Sequence, residues 1–151
     1  MAISSHRASP TFAAAATEQI LQSAERKVEI LVARDEITVT RAEYAAGLHV
    51  ADPHLHHDHV DAFYVLEGTL IFQIGHEAVE VTIPAGGSVA VAPRVPHAFR
   101  VDGEAPARWL TIHAPDGGFA AFMRGVRDGV VIDWDVHPVM PPARIELAHA
   151  V

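Results

Sequence analysis

Short β-prone segments follow one another along residues 28–113, and turn-forming residues separate each segment from the next. The segments are VEILVA from Val28, EITVTRAEY ending at Tyr44, Ala62–Glu67, Thr69–Ile74, Ala78–Ile83, Ser88–Ala92, His97–Val101 and Arg108–His113. Turn signals lie at Glu67-Gly68, Gly75, Pro84 to Gly87, Pro93 to Pro96, and Asp102-Gly103. Because no helical period interrupts this series, the pattern predicts an all-β antiparallel sandwich or barrel rather than alternating strands and helices.

The apolar side chains of these segments are expected to form the core or to line a barrel. They are Phe63, Val65, Phe72, Ile74, Phe99, Leu110 and Ile112. Tyr64 and Trp109 are interpreted as packing residues rather than catalytic ones.

The segments on either side of residues 28–113 are expected to be accessory. Residues 1–27 are predicted to be an N-terminal arm, in which Thr17 to Arg26 forms a short helix or coil. Residues 114–151 are predicted to be one short helix and a tail with a β-like run, VVIDW, packed on the barrel or on a partner subunit. The helix is expected after Asp116-Gly117-Gly118, where apolar residues recur at the spacing of one helix face. They are Phe119, Phe122, Met123 and Val126.

Composition restricts the partners and the chemistry. A length of 151 residues suits one domain, and 19 acidic against 11 basic residues give a net charge of −8, which disfavours nucleic acid as a partner. No apolar run approaches the roughly 20 residues of a membrane-spanning helix, and no signal-peptide core is visible, so a cytoplasmic protein without a membrane partner is expected. The absence of cysteine excludes disulfides, thiolate metal sites and a thiol nucleophile.

Histidines supply the main functional clue, because five of the eleven lie between His49 and His59. Alternate side chains of a strand share a face, so His54 and His56 can approach one point. Asp61 shares a face with the apolar residues that follow it, and antiparallel folding can bring His97 opposite. Three imidazoles and one carboxylate form a nitrogen and oxygen site for a divalent transition metal, with positions left open for water or substrate.

Two segments resemble the motifs of the cupin family. GLHVADPHLHHDHVDAFYVLEG, Gly47 to Gly68, resembles the first motif, G-x5-H-x-H-x(3,4)-E-x6-G, and GSVAVAPRVPHAFRV, Gly87 to Val101, resembles the second, G-x5-P-x-G-x2-H-x3-N. The resemblance covers about residues 28–113 and implies a double-stranded β-helix, or jelly roll, with a metal inside the barrel. The ligands that carry over are His54, His56, Asp61 and His97.

This sequence departs from the family pattern at several positions. Asp61 replaces the usual Glu and is shorter by one methylene, so its carboxylate reaches the metal less directly or through water. The spacer before His54 is one residue longer, and Val95 and Val101 replace the usual Gly and Asn. His57 and His59 are alternative ligands if the register of the loop is shifted.

The resemblance to small single-domain cupins of the quercetin-dioxygenase type implies an oxidative reaction on a small organic molecule. One divalent transition metal per chain is expected (Fe, Mn, Ni, Co, Cu or Zn), with Asp61 also acting as a catalytic base toward a substrate hydroxyl. Two alternatives stay open: a Lewis-acid isomerase, cyclase or lyase that uses Tyr64 or His113 as an additional titratable group, and a non-catalytic module that binds a small ligand. A homodimer is expected, because jelly-roll sheets leave edge strands that need covering.

Overall fold

Eleven β-strands and one α-helix make up residues 17–140, which are the part of the chain that the computed structural model describes. The strands are β1 (Glu18–Gln22), β2 (Arg26–Arg34), β3 (Ile37–Tyr44), β4 (His49–Leu55), β5 (Val60–Glu67), β6 (Thr69–Ile74), β7 (Val79–Pro84), β8 (Ser88–Val91), β9 (His97–Val101), β10 (Ala107–Ala114) and β11 (His137–Pro138); the helix is α1 (Phe119–Asp128). The outer parts of the predicted arm and tail, residues 1–16 and 141–151, lie outside the described residues.

The strands form two antiparallel sheets. One sheet has the order β1-β2-β3-β10-β5-β8 and the other has the order β11-β4-β9-β6-β7. Between β3 and β10 the chain crosses repeatedly from one sheet to the other, which is the winding of a jelly roll. The predicted fold class, an all-β double-stranded β-helix with one short C-terminal helix, is confirmed.

The core lies where the inner faces of the two sheets meet. Phe63 from one sheet packs edge-to-face against Phe72 and Phe99 from the other, with ring centroids 4.9 Å apart in both pairs. Leu70 and Phe72 are completely buried, and burial of one such side chain contributes about 1.5–3 kcal/mol. This apolar layer fills one part of the barrel and leaves another part open.

The face of β10 that is directed into the barrel is not the face that carries Leu110 and Ile112. Trp109, Thr111 and His113 are buried, whereas Leu110 and Ile112 are only half-buried and lie on the opposite face. The expectation that Leu110 and Ile112 line the barrel is therefore wrong. The alternation of the strand sets the face, and here polar side chains are directed inward, where they bound a cavity.

Part of the predicted arm belongs to the six-stranded sheet. β1 pairs antiparallel with β2, and Ile20 is buried in the core. Glu18 binds Arg124 and Arg127 of α1, with its carboxylate oxygens 2.8–2.9 Å from the guanidinium nitrogens. The expectation of a helix or coil for Thr17 to Arg26 is wrong over β1, since tertiary pairing overrides the weak local propensity.

The helix begins at the predicted position, directly after Gly118. The Asp116 carboxylate accepts hydrogen bonds from the backbone N–H groups of Gly118 and Ala120, and Gly129 ends the helix in the left-handed conformation. Val126 is exposed, so the apolar face is narrower than predicted. No helix among residues 17–140 is long and apolar enough to cross a membrane.

Residues 130–138, called the strap below, return from the helix to the barrel. Gly125 allows the return, because a Cβ at this position would lie 2.5 Å from the carbonyl oxygen of Val130. The β-like run VVIDW within the strap forms no strand, and only His137–Pro138 pairs, with β4. The strap therefore reaches the edge of the five-stranded sheet beside His54.

Candidate metal centre

Four of the predicted site residues meet between the two sheets. His54 on β4 pairs directly with His97 on β9, which places both imidazoles on the five-stranded sheet. Asp61 lies on β5 in the opposite sheet, and His56 follows the end of β4. One ligand atom from each residue lies within 4.8 Å of the other three. We call these four residues the ligand cluster.

The ligand cluster is largely shielded from water. His56, His97 and Asp61 are buried, and His54 is half-buried. The imidazole rings of His54 and His97 have centroids 4.3 Å apart, and those of His56 and His97 are 5.1 Å apart. Nε2 of His56 lies 3.2 Å from Asp61 Oδ2, and Nε2 of His97 lies 3.0 Å from the same oxygen.

A backbone carbonyl fixes the tautomer of each histidine in the ligand cluster. The Nδ1–H group of His54 donates to the carbonyl oxygen of Asp52 at 2.7 Å. The Nδ1–H group of His56 donates to the carbonyl oxygen of Asp135 at 2.6 Å, and that of His97 donates to the carbonyl oxygen of Val95 at 3.0 Å. Because a carbonyl can only accept, Nδ1 carries the proton in every ring, and Nε2 of the neutral ring is left as a lone pair. Metal-binding histidines are oriented in the same way.

The carboxylate of Asp61 completes a donor set that fits a cation. Oδ1 is buried without a hydrogen-bond partner. Burial opposes ionisation, but hydrogen bonds from His56 and His97, when these rings carry a proton on Nε2, hold the pKa of Asp61 below its usual range. Because the Nδ1–H groups of His56 and His97 already donate to carbonyls, the neutral rings would direct the lone pairs of Nε2 at Oδ2 of Asp61, and these lone pairs would repel the carboxylate. A cation between the two nitrogens and Oδ2 would attract all three atoms and remove the repulsion. The cluster is therefore able to hold a metal.

The pKa of His54 also suits metal binding. Burial, with a further contribution from neighbouring His97, lowers the pKa of His54 to about 4. Its imidazole is therefore neutral near pH 7, and a neutral ring is the form that coordinates a metal.

A second group of buried histidines lies beside the ligand cluster. His113 Nδ1 lies 2.9 Å from His59 Nε2, and His59 Nδ1 lies 2.8 Å from Asp135 Oδ2. Since a carboxylate accepts, neutral His59 carries its proton on Nδ1 and receives the Nδ1–H of His113 at Nε2. Neutral His113 is then left with a free lone pair on Nε2, which lies 3.7 Å from Asp61 Oδ1.

Burial is the main cause of the pKa shifts in this second group. It lowers the pKa of His113 to about 4 and also lowers the pKa of His59. Sequence reasoning named His113 only as an additional titratable group for Lewis-acid chemistry, from its position at the end of the last core strand. The pairing of His113 with Asp61 across β10 and β5 brings it to the ligand cluster.

The alternative ligands His57 and His59 are not members of the ligand cluster, although the ring of His59 stacks on that of His56 with centroids 4.1 Å apart. His57 stacks on His137 of the strap, with ring centroids 3.6 Å apart and planes inclined by 9°. His59 belongs to the second histidine group. In the structure, therefore, the predicted register brings His54 and His56 together with Asp61 and His97, and the shifted register is not seen.

Asp135 is a site residue that sequence reasoning missed. Its carboxylate accepts hydrogen bonds from the backbone N–H groups of His57 and Asp58, each 2.8 Å long, and from His59 and His137. Burial opposes its ionisation, but these bonds hold the pKa of Asp135 below its usual range. No motif surrounds Asp135 in the sequence, so nothing marked it in advance.

The ligand cluster forms part of the wall of a cavity of about 490 Å³, a size within the range of small-molecule sites. His54, Asp61 and His113 contribute to the wall, and aromatic side chains of α1 and the strap line the cavity beside them. Tyr64 is exposed and lies outside this lining. Of the two additional titratable groups considered for Lewis-acid chemistry, only His113 reaches the cavity.

A cupin-domain model matches residues 40–113, the stretch that carries the whole ligand cluster and His113. The jelly-roll fold of these residues agrees with this match. The departures from the family motifs leave the cluster assembled: Val95, in the place of a motif Gly, supplies the carbonyl that orients His97, and Val101 is a buried core residue. The finer resemblance to quercetin-dioxygenase-like cupins stays a prediction.

Several solved structures share this cupin fold. An RmlC-like cupin from Shewanella frigidimarina is 21% identical, with a TM-score of 0.58 over 71% of this chain and 92% of that one. KdgF from a Halomonas species is 18% identical, with a TM-score of 0.54 over 62% of this chain and 84% of that one. The Fe(II) form of HppE is 23% identical, with a TM-score of 0.52 over 59% of this chain and 50% of that one.

Identities this low establish the fold and leave the activity of the chain open. No curated protein sequence matches the chain significantly.

Proposed function

We propose that this cupin is a metal-dependent oxidative enzyme that binds one divalent transition metal and acts on a small organic molecule. The observation that carries the proposal is the convergence of three carbonyl-oriented imidazoles and one unpartnered carboxylate oxygen beside a largely apolar cavity. The Fe(II) form of the similarly folded HppE supports a redox metal. A redox-active metal in this site would supply electrons for the reaction of substrate with dioxygen.

The chain's own residues have distinct parts in this proposal. His54, His56, His97 and Asp61 hold the metal through nitrogen and oxygen donors. The aromatic residues beside them exclude water. Asp61 was expected to act also as a base, but a carboxylate that holds the metal shares its charge with the cation and is less able to accept a proton.

His113 is the better placed group for accepting a proton. Its Nδ1–H is occupied by His59, so the lone pair of Nε2 is directed to the Asp61 side of the cavity. A substrate hydroxyl held near Asp61 would lie within reach of this nitrogen. We assign His113 the acceptor role and Asp61 the role of ligand.

The same feature supports a second candidate function. Lewis-acid isomerisation, cyclisation or elimination needs a proton acceptor beside the metal, and His113 supplies one without any need for dioxygen. The two candidates share the metal and differ in their requirement for oxygen.

Metal analysis tests the shared part of the proposal. Protein purified without added metal should contain about one divalent transition metal per chain, and a His56→Ala, His97→Ala double variant should lose most of it. His76→Ala is the matched control, because His76 is exposed and lies outside the ligand cluster. Full occupancy in the double variant would refute the metal site.

An oxygen-electrode screen with flavonols, β-diketones and catechols then separates the functions. An oxidative enzyme consumes oxygen together with substrate and is inactive under strict anaerobiosis. Product formed at an undiminished rate without oxygen would refute oxidation and favour the Lewis-acid function. Binding without any turnover would favour a non-catalytic module.

A further inference from the structure

The charge of the cavity wall restricts the ligands that it can accept. Among the described residues, no lysine or arginine lines the cavity, whereas Asp61 lies in its wall and exposed Asp52 lies at its edge. Arg41 of β3 is held by Glu29 on the outer face of the sheet. Arg26 is exposed and packs over the ring of Tyr44, 5.5 Å from its centroid. In the metal-free cavity, and away from the metal when it is bound, a carboxylate or phosphate on the ligand would therefore meet negative charge without a cationic side chain to bind it.

Aromatic rings cover the side of the cavity next to the ligand cluster. Trp134 of the strap stacks on Phe122 of α1 at 5.0 Å with an interplanar angle of 21°, and its ring centroid lies 5.1 Å from that of Phe119. Phe119 contacts His113 with centroids 3.9 Å apart, and Trp134 lies 5.2 Å from the ring of His56. Trp134 therefore lies beside one of the proposed metal ligands, His56, and Phe119 lies beside His113.

A second aromatic pair lines the cavity at β3 and β10. Tyr44 and Trp109 have ring centroids 5.3 Å apart, and the indole N–H of Trp109 is already donated to Thr111. Both groups of rings thus present apolar surface to the cavity. An aromatic ligand prefers offset-stacked or edge-to-face contact with such surfaces.

We infer that the cavity takes an uncharged aromatic molecule that directs one or two oxygen atoms toward His54 and Asp61 and packs its ring against Trp134 and Phe119. The inference rests on the proposed function for the position of the metal. The preference for an aromatic and uncharged ligand is argued from the residues of the cavity wall alone. Its affinity for such ligands can therefore be measured on metal-free protein.

The test uses three probes: 2,3-dihydroxynaphthalene, its carboxylate relative 3-hydroxy-2-naphthoate, and the non-aromatic trans-1,2-cyclohexanediol. Isothermal titration of chelator-treated protein should show that the neutral naphthalene diol binds at least about tenfold more tightly than either of the others. Both tryptophans of the chain line the cavity, so quenching of intrinsic fluorescence should follow the same titration curve and locate the bound probe.

Two variants test the wall directly. Trp134→Ala should weaken binding of the diol roughly tenfold, with Trp109 left as the fluorescent reporter. Met123→Lys places a cation on the helical side of the wall and should reverse the preference in favour of the naphthoate. Val131→Ala is the control, because Val131 is exposed on the strap, and it should leave every affinity unchanged.

The outcomes separate this inference from the proposed function. Equal binding of diol and naphthoate to metal-free wild-type protein, or equal binding of the two diols, would overturn the ligand class even if the metal is present. Tight aromatic binding by a chain that takes up no metal would support the ligand class and refute the proposed function.

Discussion

Replacing Asp135 with Ala should both destabilise the metal-free protein and weaken its affinity for metal. The Asp135 carboxylate accepts four hydrogen bonds of 2.8–3.0 Å, two of them from backbone N–H groups, and its side chain is only 13% exposed. A hydrogen bond to a charged group contributes about 1.5–3 kcal/mol. Because water can replace part of the contact to exposed Asp58 and half-exposed His137, we expect the free energy of unfolding to fall by about 2–4 kcal/mol.

The expected size of the effect makes it easy to measure. For a chain of this length, about 2–4 kcal/mol corresponds to a fall in Tm of roughly 4–16 °C. Urea unfolding of metal-free protein, followed by near-ultraviolet circular dichroism, gives the free energy of unfolding, and Trp134 reports on the strap. Asp135→Asn keeps one acceptor oxygen and should lie between Asp135→Ala and the wild type.

The effect on metal affinity follows from the main chain of the same residue. The Asp135 carbonyl orients His56, and loosening of the strap would leave that imidazole free to turn. Loss of such an orienting partner typically lowers metal affinity about 10–100-fold. Asp133→Asn, an exposed change in the strap, should alter stability by less than about 0.5 kcal/mol. An Asp135→Ala protein as stable as Asp133→Asn, with unchanged metal affinity, would refute the reasoning.

Three further predictions concern other parts of the molecule. If Asp61 is a ligand, Asp61→Asn should sharply weaken metal binding and Asp61→Glu should be tolerated. Equal metal affinities of the wild type and both variants in a titration would show that Asp61 is not a ligand. Hydrogen bonds from Arg124, with Arg127 adding to them, lower the pKa of Glu18 despite its partial burial, so this ion pair stabilises the fold above the unfolded-state pKa and is lost as the pH falls through the folded-state pKa. Glu18→Gln should therefore lower the free energy of unfolding in urea by at most about 1 kcal/mol at pH 7, and by less as the pH falls below the unfolded-state pKa. Light scattering at micromolar concentration should report a homodimer, and a species of 16.3 kDa would contradict this.

The positions of most strands could be predicted because turn residues mark their ends. β6 and β9 begin and end at the predicted residues, Thr69–Ile74 and His97–Val101. β1 could not be predicted in this way, because its burial depends on pairing with β2 and on the ion pairs of Glu18 with α1. Such contacts join segments far apart in the sequence, and local propensity does not report them.

The direction of side chains was harder to predict than the position of strands. Leu110 and Ile112 are more hydrophobic than Thr111 and His113, yet the more polar pair is directed inward. Hydrophobicity identifies the inner face when the interior is a packed apolar core. Where a barrel contains a cavity with titratable groups, inward positions carry polar residues, and the rule fails at the strand that bears the site.

The proximity of the four predicted ligands has a reason that explains why Asp135 was missed. His54, Asp61 and His97 occupy fixed positions on paired strands, and His56 directly follows one of these strands, so alternation and motif spacing together bring the four residues to one point. Asp135 reaches the same place through the path of the strap, which the close approach at Gly125 and the hydrogen bond from the Asp135 N–H to Gly117 determine. Because Trp134 and Asp135 are adjacent, one short segment both covers the cavity and orients His56. A ligand that packs against Trp134 should therefore also stabilise the orientation of His56, so occupancy of the cavity and affinity for metal are expected to increase together.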